Sequence, residues 1–420
     1  MTWPQVPLRD LVGEPLRNGR SVKDRAGGFP VLRLTALDGT WADLGQAKAG
    51  DWTRDEALPF FVTAGDFLVS RGNGSLRRVA KGSLVAEAPS EVAFPDTMIR
   101  VRPRADHLIP KYLAFAWSAP ATRAQIESKA RTTAGIYKVA QRDLETITLP
   151  VPSLSQQQRI VEILEGHLSH LDAGNEAVAS AQRRLDALIA AQIEVSLGSA
   201  GGNEVALGDL AASLKNGIFV SRPGTTPVGV AILRIGAVRP LVLNLDDLRY
   251  SALQVEELTE ADALLEAGDL LFTRYNGNPR FVGASAVVDG RRLPLTYPDK
   301  LIRLRLHGDR AVPDFVCFAT NYGPGRRQIE ARLKTSAGQV GISGGELKRV
   351  KVRLPGVAEQ VRAVAEVRTV MDARERLTIC TKVAAQRADS LRRAVLAAAF
   401  SGKLTGRHTD REVIEELAAI

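Results

Sequence analysis

The residues best suited to act on another molecule form two matching clusters rich in arginine, asparagine and glycine. Ser70-Arg71-Gly72-Asn73-Gly74-Ser75-Leu76-Arg77-Arg78 follows one apolar run, and Thr273-Arg274-Tyr275-Asn276-Gly277-Asn278-Pro279-Arg280 follows another. Arginine can donate two parallel hydrogen bonds to a guanine edge, asparagine can pair similarly with adenine, and glycine lets a backbone approach a groove closely. The candidate DNA-contacting residues are therefore Ser70, Arg71, Asn73, Ser75, Arg77 and Arg78 in the first cluster, and Thr273, Arg274, Tyr275, Asn276, Asn278 and Arg280 in the second. Either cluster alone also reads as a hairpin turn with exposed arginines. Both keep Ser/Thr-Arg and then Asn-Gly amid otherwise different residues, and this favours the binding role.

Two further pairs share this character. Asn18-Gly19 and Asn216-Gly217 are turn dipeptides that precede Lys23 and Arg222; their first role is structural. Arg131-Thr132-Thr133-Ala134-Gly135 and Lys334-Thr335-Ser336-Ala337-Gly338 each place a cation, two hydroxyls and a glycine in one loop. Arg131 and Lys334 are thus candidate phosphate contacts, with a helix end followed by a turn as the structural alternative.

Residues for catalysis are missing. There is no Gly-x4-Gly-Lys-Ser/Thr loop, and Gly72-Asn73-Gly74 does not extend to a dinucleotide-binding glycine pattern. Asn278-Pro279-Arg280-Phe281 superficially resembles the Asn-Pro-Pro-Tyr/Phe of amino-methyltransferases but has arginine for the second proline. His167 and His170 lack carboxylate or histidine companions at metal spacing, and Cys317 and Cys380 are too few for a disulfide framework or a structural zinc site. Neither a metal nor a cofactor is expected on this chain.

With Lys+Arg 56 against Asp+Glu 47, the formal charge of the 420 residues is +9, which favours a polyanionic partner. The amino terminus lacks the basic flank and apolar stretch of a signal peptide, and no run approaches the roughly 18 apolar residues of a membrane span. A soluble, cytoplasmic protein with no membrane association is expected.

The elements that position these clusters are duplicated. Ala64-Gly65-Asp66-Phe67-Leu68 returns as Ala267-Gly268-Asp269-Leu270-Leu271, a shift of 203 residues. The same shift carries Thr133-Ala134-Gly135 onto Ser336-Ala337-Gly338, and Pro152, Gln157 and Arg159 onto Pro355, Gln360 and Arg362. Near the start, Leu8-Arg9-Asp10-Leu11 pairs with Leu207-Gly208-Asp209-Leu210 at a shift of 199. Each copy begins with short β-rich runs and Gly/Pro turns, a mixed domain. A proline boundary then leads into a helical stretch.

In the first stretch Leu164, Leu171, Val178 and Leu185 fall seven apart, with His167, Gly174, Ala181, Leu188 and Val195 as the adjoining row. In the second, Val370, Leu377, Ala384, Leu391 and Ala398 repeat the spacing, beside Ala373, Cys380 and Ala394. Such periodicity indicates a seam buried against another helix. Helices of ~40 residues are roughly 60 Å long, so they serve as spacers. Only a short connection, 198–207, joins the first helix to the next domain, which favours antiparallel packing with pseudo-two-fold symmetry.

Two mixed domains, each followed by a long helix opening on Pro152-Ser153-Leu154-Ser155-Gln156-Gln157-Gln158-Arg159 or Pro355-Gly356-Val357-Ala358-Glu359-Gln360-Val361-Arg362, resemble the specificity (S) subunits of type I restriction–modification systems. The resemblance spans nearly the whole chain, including Leu233-Arg234-Ile235-Gly236 and the closing Phe400-Ser401-Gly402-Lys403-Leu404. It implies an α+β fold: target recognition domains at 1–150 and 203–353, long spacer helices within 151–202 and 354–404 packed as an antiparallel coiled coil, and a tail at 405–420. It further implies a non-catalytic subunit in which each domain reads half of a bipartite target in double-stranded DNA and the coiled coil sets the gap. The implied partners are two methyltransferase subunits carrying S-adenosylmethionine, and a restriction/translocase subunit using ATP and Mg. The alternative is a coiled-coil scaffold whose terminal domains bind proteins.

Overall fold

The computed structural model describes residues 3–88, 91–133, 135–336, 339–404, 413–414 and 416–417. Most of the tail expected at 405–420, and Ala134, Ala337 and Gly338 of the hydroxyl-rich loops, lie outside the described residues. The chain divides into two compact units, one formed by Met1–Val178 with Lys382–Ile420 and the other by Ala179–Thr381.

The first unit is built on an antiparallel sheet in the order Arg17–Asn18, Met98–Val101, Phe67–Ser70, Gly82–Leu84. All four residues of Phe67–Ser70 are buried, which explains why this strand reads as a continuous apolar run. The second unit repeats the sheet with Ala211–Asn216, Leu301–Leu306, Leu270–Thr273 and Ser285–Val287. Phe67 faces Val101 and Leu84, while Leu270 faces Leu304 and Val287. The 203-residue shift read from the sequence is therefore also the shift in strand register. Each sheet packs on a helix pair, Pro110–Ser118 with Pro120–Lys129 and Pro313–Asn321 with Gly323–Glu330. Proline opens three of these helices at a position where its missing N–H costs nothing.

A short strand closes each domain at the root of its long helix. Gln5–Pro7 pairs with Thr148–Pro150, and Asn203–Ala206 pairs with Lys351–Leu354. The long helices then span Leu154–Ser199 and Val357–Phe400. Ser153 and Gln156 exchange hydrogen bonds at the first start, a capping box that satisfies otherwise orphaned backbone donors.

Inside the first unit, Ile160, Val161, Leu164 and Leu168 share a core with Val395, Leu396 and Ala399. Inside the second, Ile189, Ile193 and Leu197 pack with Ala363, Val364 and Val367. There Asp186 meets Arg374 at 2.9 Å and Gln182 meets Thr381 at 3.3 Å, so one helix descends as the other rises. This is the antiparallel pairing that the short linker favoured.

The seam differs from expectation in both helices. In the adjoining row of the first, Leu188 is 68% exposed and Val195 60%, and in the main row of the second, Leu377 is 47% exposed and Ala384 is exposed too. Burial instead follows Leu164, Leu168, Leu171, Asn175, Val178, Gln182, Leu185 and Ile189, alternating steps of four and three. Two members of the true second row, Asn175 and Gln182, are polar and therefore left no apolar signal.

Candidate nucleic-acid interface

The two loop families that the sequence keeps about sixty residues apart meet in space. After the buried strand Phe67–Ser70 the chain emerges at Arg71, and Gly72–Asn73 pairs with the hairpin made by Arg131–Thr133 and Ile136–Lys138. Tyr137 lies opposite both Asn73 and Thr132. In the second unit Tyr275–Asn276 pairs with Gln339–Gly341, which pairs in turn with Lys334–Ser336. Each unit thus presents one small three-stranded sheet carrying the arginine-rich cluster at one edge and the hydroxyl-rich strand at the other.

Arg71, Ser75, Arg77 and Arg78 are exposed, as are Asn278 and Arg280. Asn73 Oδ1 accepts the Ser75 N–H at 3.0 Å, and Asn276 Oδ1 accepts the Asn278 N–H at 2.9 Å. These turns explain the Asn-Gly of both copies, because asparagine shapes its own backbone two residues on. Asn278 Oδ1 does the same for the Arg280 N–H at 3.1 Å. Ser70 is only 3% exposed, and Thr273 is fully buried with no partner for its hydroxyl among the described residues. Both hydroxyls face the protein.

The copies differ most at the arginine after the strand. Arg71 stands in solvent, whereas Arg274 is half-buried, donates to the Asp299 carbonyl at 3.2 Å and lies 4.9 Å from the Tyr275 ring centroid. Lys300 Nζ approaches the same ring at 5.4 Å. Cations over a ring face gain from its quadrupole, which favours this stacked arrangement. A cup of about 170 Å³ opens beside the first loop, and Ser70, Asn73, Arg78 and Lys81 line part of it.

Arg131 is exposed, with Asp143 3.9 Å away; Lys334 is exposed and donates to Glu346 at 2.9 Å. That bond holds the Glu346 carboxyl below its ordinary range. Lys23 and Arg222 are also exposed, but neither belongs to the three-stranded sheets. Asn18-Gly19 and Asn216-Gly217 serve close packing. A Cβ at Gly19 would sit 2.2 Å from the Pro95 carbonyl oxygen, and one at Gly217 2.2 Å from that of Tyr297.

Several residues of this surface escaped the sequence reading. Lys138 joins Arg71 and Arg131 on the first sheet, and Lys300 joins Arg274 and Tyr275. The available signal was Gly135, whose φ of +78° lets Arg131–Thr133 turn back as a hairpin strand. Phe219, 80% exposed, directly follows Ile218, whose carbonyl accepts the Asp299 N–H.

Among the described residues no three His, Cys, Asp or Glu side chains come together as a metal-ligand set. Cys317 is buried against Ser285 and Asn321, and desolvation pushes its thiol up to about 12, far from a reactive thiolate. No helix among the described residues is long and apolar enough to cross a membrane.

Residues 11–177 match the model of the type I restriction modification DNA specificity domain. The chain is 29% identical over 360 residues to the EcoKI specificity subunit of Escherichia coli K12, covering 82% of this chain and 76% of that one. It is 27% identical over 358 residues to the StySPI specificity subunit of Salmonella potsdam, with the same coverage. A solved structure described as "Structural basis underlying complex assembly and conformational transition of the type I R-M system" contains a chain that aligns with a TM-score of 0.66 at 17% identity, covering 96% of this chain and 98% of that one. That last likeness concerns the fold.

Proposed function

We infer that this chain belongs to the specificity subunits of type I restriction–modification systems and is the non-catalytic subunit that gives such a complex its DNA sequence specificity. The observation that carries the residue-level reading is the repeated three-stranded sheet, on which a turn-shaped arginine loop and a cationic strand occupy opposite edges in both units.

Arg71, Arg77, Arg78 and Arg280 supply the freely exposed donors, which suits reading base edges or gripping phosphates. Arg131 and Lys334 sit at the opposite sheet edge as phosphate contacts. Ser70, Thr273, Asn73 and Asn276 shape the loops, and the Arg274–Tyr275–Lys300 stack gives the second reader a stiffer face. Lys23 and Arg222 add peripheral charge. The recognition domains, taken as 1–150 and 203–353, each read one half of a split target, and the paired helices set the unread gap. Each half alone specifies few base pairs, at about 1 to 3 kcal/mol per good bidentate contact, and joining two makes the second binding event intramolecular. Two methyltransferase subunits carrying S-adenosylmethionine, and an ATP- and Mg-dependent restriction and translocation subunit, complete the complex in the cytoplasm.

The test is to sequence methylated adenines in cells carrying this subunit with its methyltransferase, as wild type, Arg71→Ala and Arg280→Ala. Each variant relaxes one half of the target by roughly 5- to 150-fold and leaves the other half intact. Lys334→Ala weakens binding to all sequences alike and flattens the salt dependence of log K. Equal losses on cognate and random DNA for both arginine variants would remove them from base reading. DNA binding that is flat across a salt series would favour a protein-binding scaffold.

A further inference from the structure

Each reading loop is gripped from below by an arginine that the sequence does not single out. Arg123, on helix Pro120–Lys129, sends its guanidinium into the returning limb of the first loop. Its Nη2 donates to the carbonyls of Val79 at 2.8 Å and Arg77 at 3.3 Å, and its Nη1 donates to that of Ala80 at 3.3 Å. Trp117 Nε1 donates to the Ala80 carbonyl as well, at 2.8 Å.

The second unit repeats the arrangement 203 residues on. Arg326 Nη1 donates to the Val282 carbonyl at 2.8 Å and Nη2 to the Arg280 carbonyl at 3.0 Å. The Arg326 Nε donates to Glu330 at 2.8 Å, which fixes the plane of the fork. The side chains of Arg123 and Arg326 are only 17% and 13% exposed, so neither guanidinium is free to contact DNA.

The returning limb has the shape such a fork requires. Ala80 and Gly283 occupy equivalent positions with φ of +51° and +69°, the left-handed conformation that reverses the chain. One turn earlier stand Leu76–Arg78 and Pro279–Phe281, with exposed Arg77 and Arg280. Each loop is therefore pinned at two ends, by the asparagine turn where it leaves the sheet and by the arginine fork where it returns. A planar guanidinium imposes angles as well as distances on its acceptors, and an ammonium does not.

We propose that Arg123 and Arg326 are positioning residues of the two half-site readers: each fixes the backbone carrying Arg77 or Arg280 and thereby sets the fidelity of one half of the target. This rests on the reading of those loops as base contacts. A fork that holds the loop before DNA arrives removes the cost of ordering it on binding, and a displaced reader loses discrimination before it loses affinity.

The test uses the subunit assembled with its methyltransferase partners and measures binding to the cognate duplex and to duplexes altered in one half or the other. Arg123→Lys, which keeps the charge and loses the fork, is expected to lower discrimination at one half-site on the order of tenfold to a hundredfold. Arg326→Lys does so at the other half-site; in both variants the salt dependence stays unchanged, while the melting temperature falls because carbonyls of the limb lose their donors. Glu330→Gln, which loosens the second fork without removing it, gives a smaller loss confined to the same half as Arg326→Lys. Undiminished discrimination, or an equal loss at both halves, overturns the proposal. Arg77→Ala and Arg280→Ala separate the two levels. If they relax discrimination and the lysine variants do not, the positioning role alone fails; if they too leave it intact, the loops do not read bases and both readings fall.

Discussion

Asp66 and Arg102 form a two-point ion pair at the start of the strand Phe67–Ser70, Nε to Oδ1 at 2.6 Å and Nη2 to Oδ2 at 2.9 Å, with the carboxylate fully buried. Asp269 and Arg305 repeat it at 2.8 Å for both contacts. Asp66 Oδ2 also accepts the Thr63 N–H and Asp269 Oδ2 the Glu266 N–H, each at 2.8 Å. Gly65 and Gly268 turn the chain at φ of +88° and +90°. The duplicated Ala-Gly-Asp is thus a device for anchoring the buried strand that follows it, with glycine supplying the turn and aspartate the anchor.

Replacing Asp66 with asparagine removes one partner of a buried pair, and such breaks cost about 3 to 5 kcal/mol. Glu14 remains on Arg102 at 2.8 Å, which places the expected loss at about 3 kcal/mol. Urea unfolding of Asp66→Asn against wild type measures it. A loss below about 1 kcal/mol would mean the pair contributes little.

Gln157 ties the root of the first long helix to the segment before Pro110–Ser118. It is fully buried, donates to the carbonyls of His107 at 2.9 Å and Pro152 at 3.0 Å, and accepts the Ile109 N–H at 2.9 Å. Gln157→Ala strands these groups, at a cost of about 1 to 3 kcal/mol for each left unsatisfied. Amide exchange at Ile109 accelerates accordingly, and Gln360→Ala does the same to Val312, whose N–H Gln360 accepts at 2.8 Å. Unchanged exchange at both amides would contradict the tether.

Acid sensitivity has a definite source in the second unit. Arg303, and then Lys215, hydrogen-bond the Asp262 carboxyl and lower it from 3.8 to about 2. A depressed folded-state value adds stability above the unfolded value, and that stability fades as pH falls from about 4 through about 2. The wild-type advantage over Asp262→Asn should therefore be constant above about pH 5 and shrink steadily across that window. Unfolding midpoints across the acid range read this directly; an advantage independent of pH would exclude the linkage.

Local chemistry alone announced a good deal of this protein. Repetition at one spacing foretold two copies of one mixed domain, because side-chain period and turn residues are written into short stretches; the structure then repeats the sheet at that same spacing. Leu164, Leu171, Val178 and Leu185 announced one row of the helix seam for the same reason. Asn73 and Asn276, read first as base contacts, proved to be turn formers too, since the donor nearest to an asparagine Oδ1 is the backbone N–H two residues on.

Folding settled matters that no local pattern records. Polar Asn175 and Gln182 concealed the second seam row, because apolar periodicity registers only apolar neighbours. The meeting of Gly72–Asn73 with Arg131–Thr133, the pairing of Asp66 with Arg102, and the reach of Arg123 to the Val79 carbonyl all join residues far apart in the chain. A charged or polar side chain carries the same letter whether it faces water or a buried acceptor. Which of the two it meets depends on the burial of distant segments, and that is a property of the folded molecule.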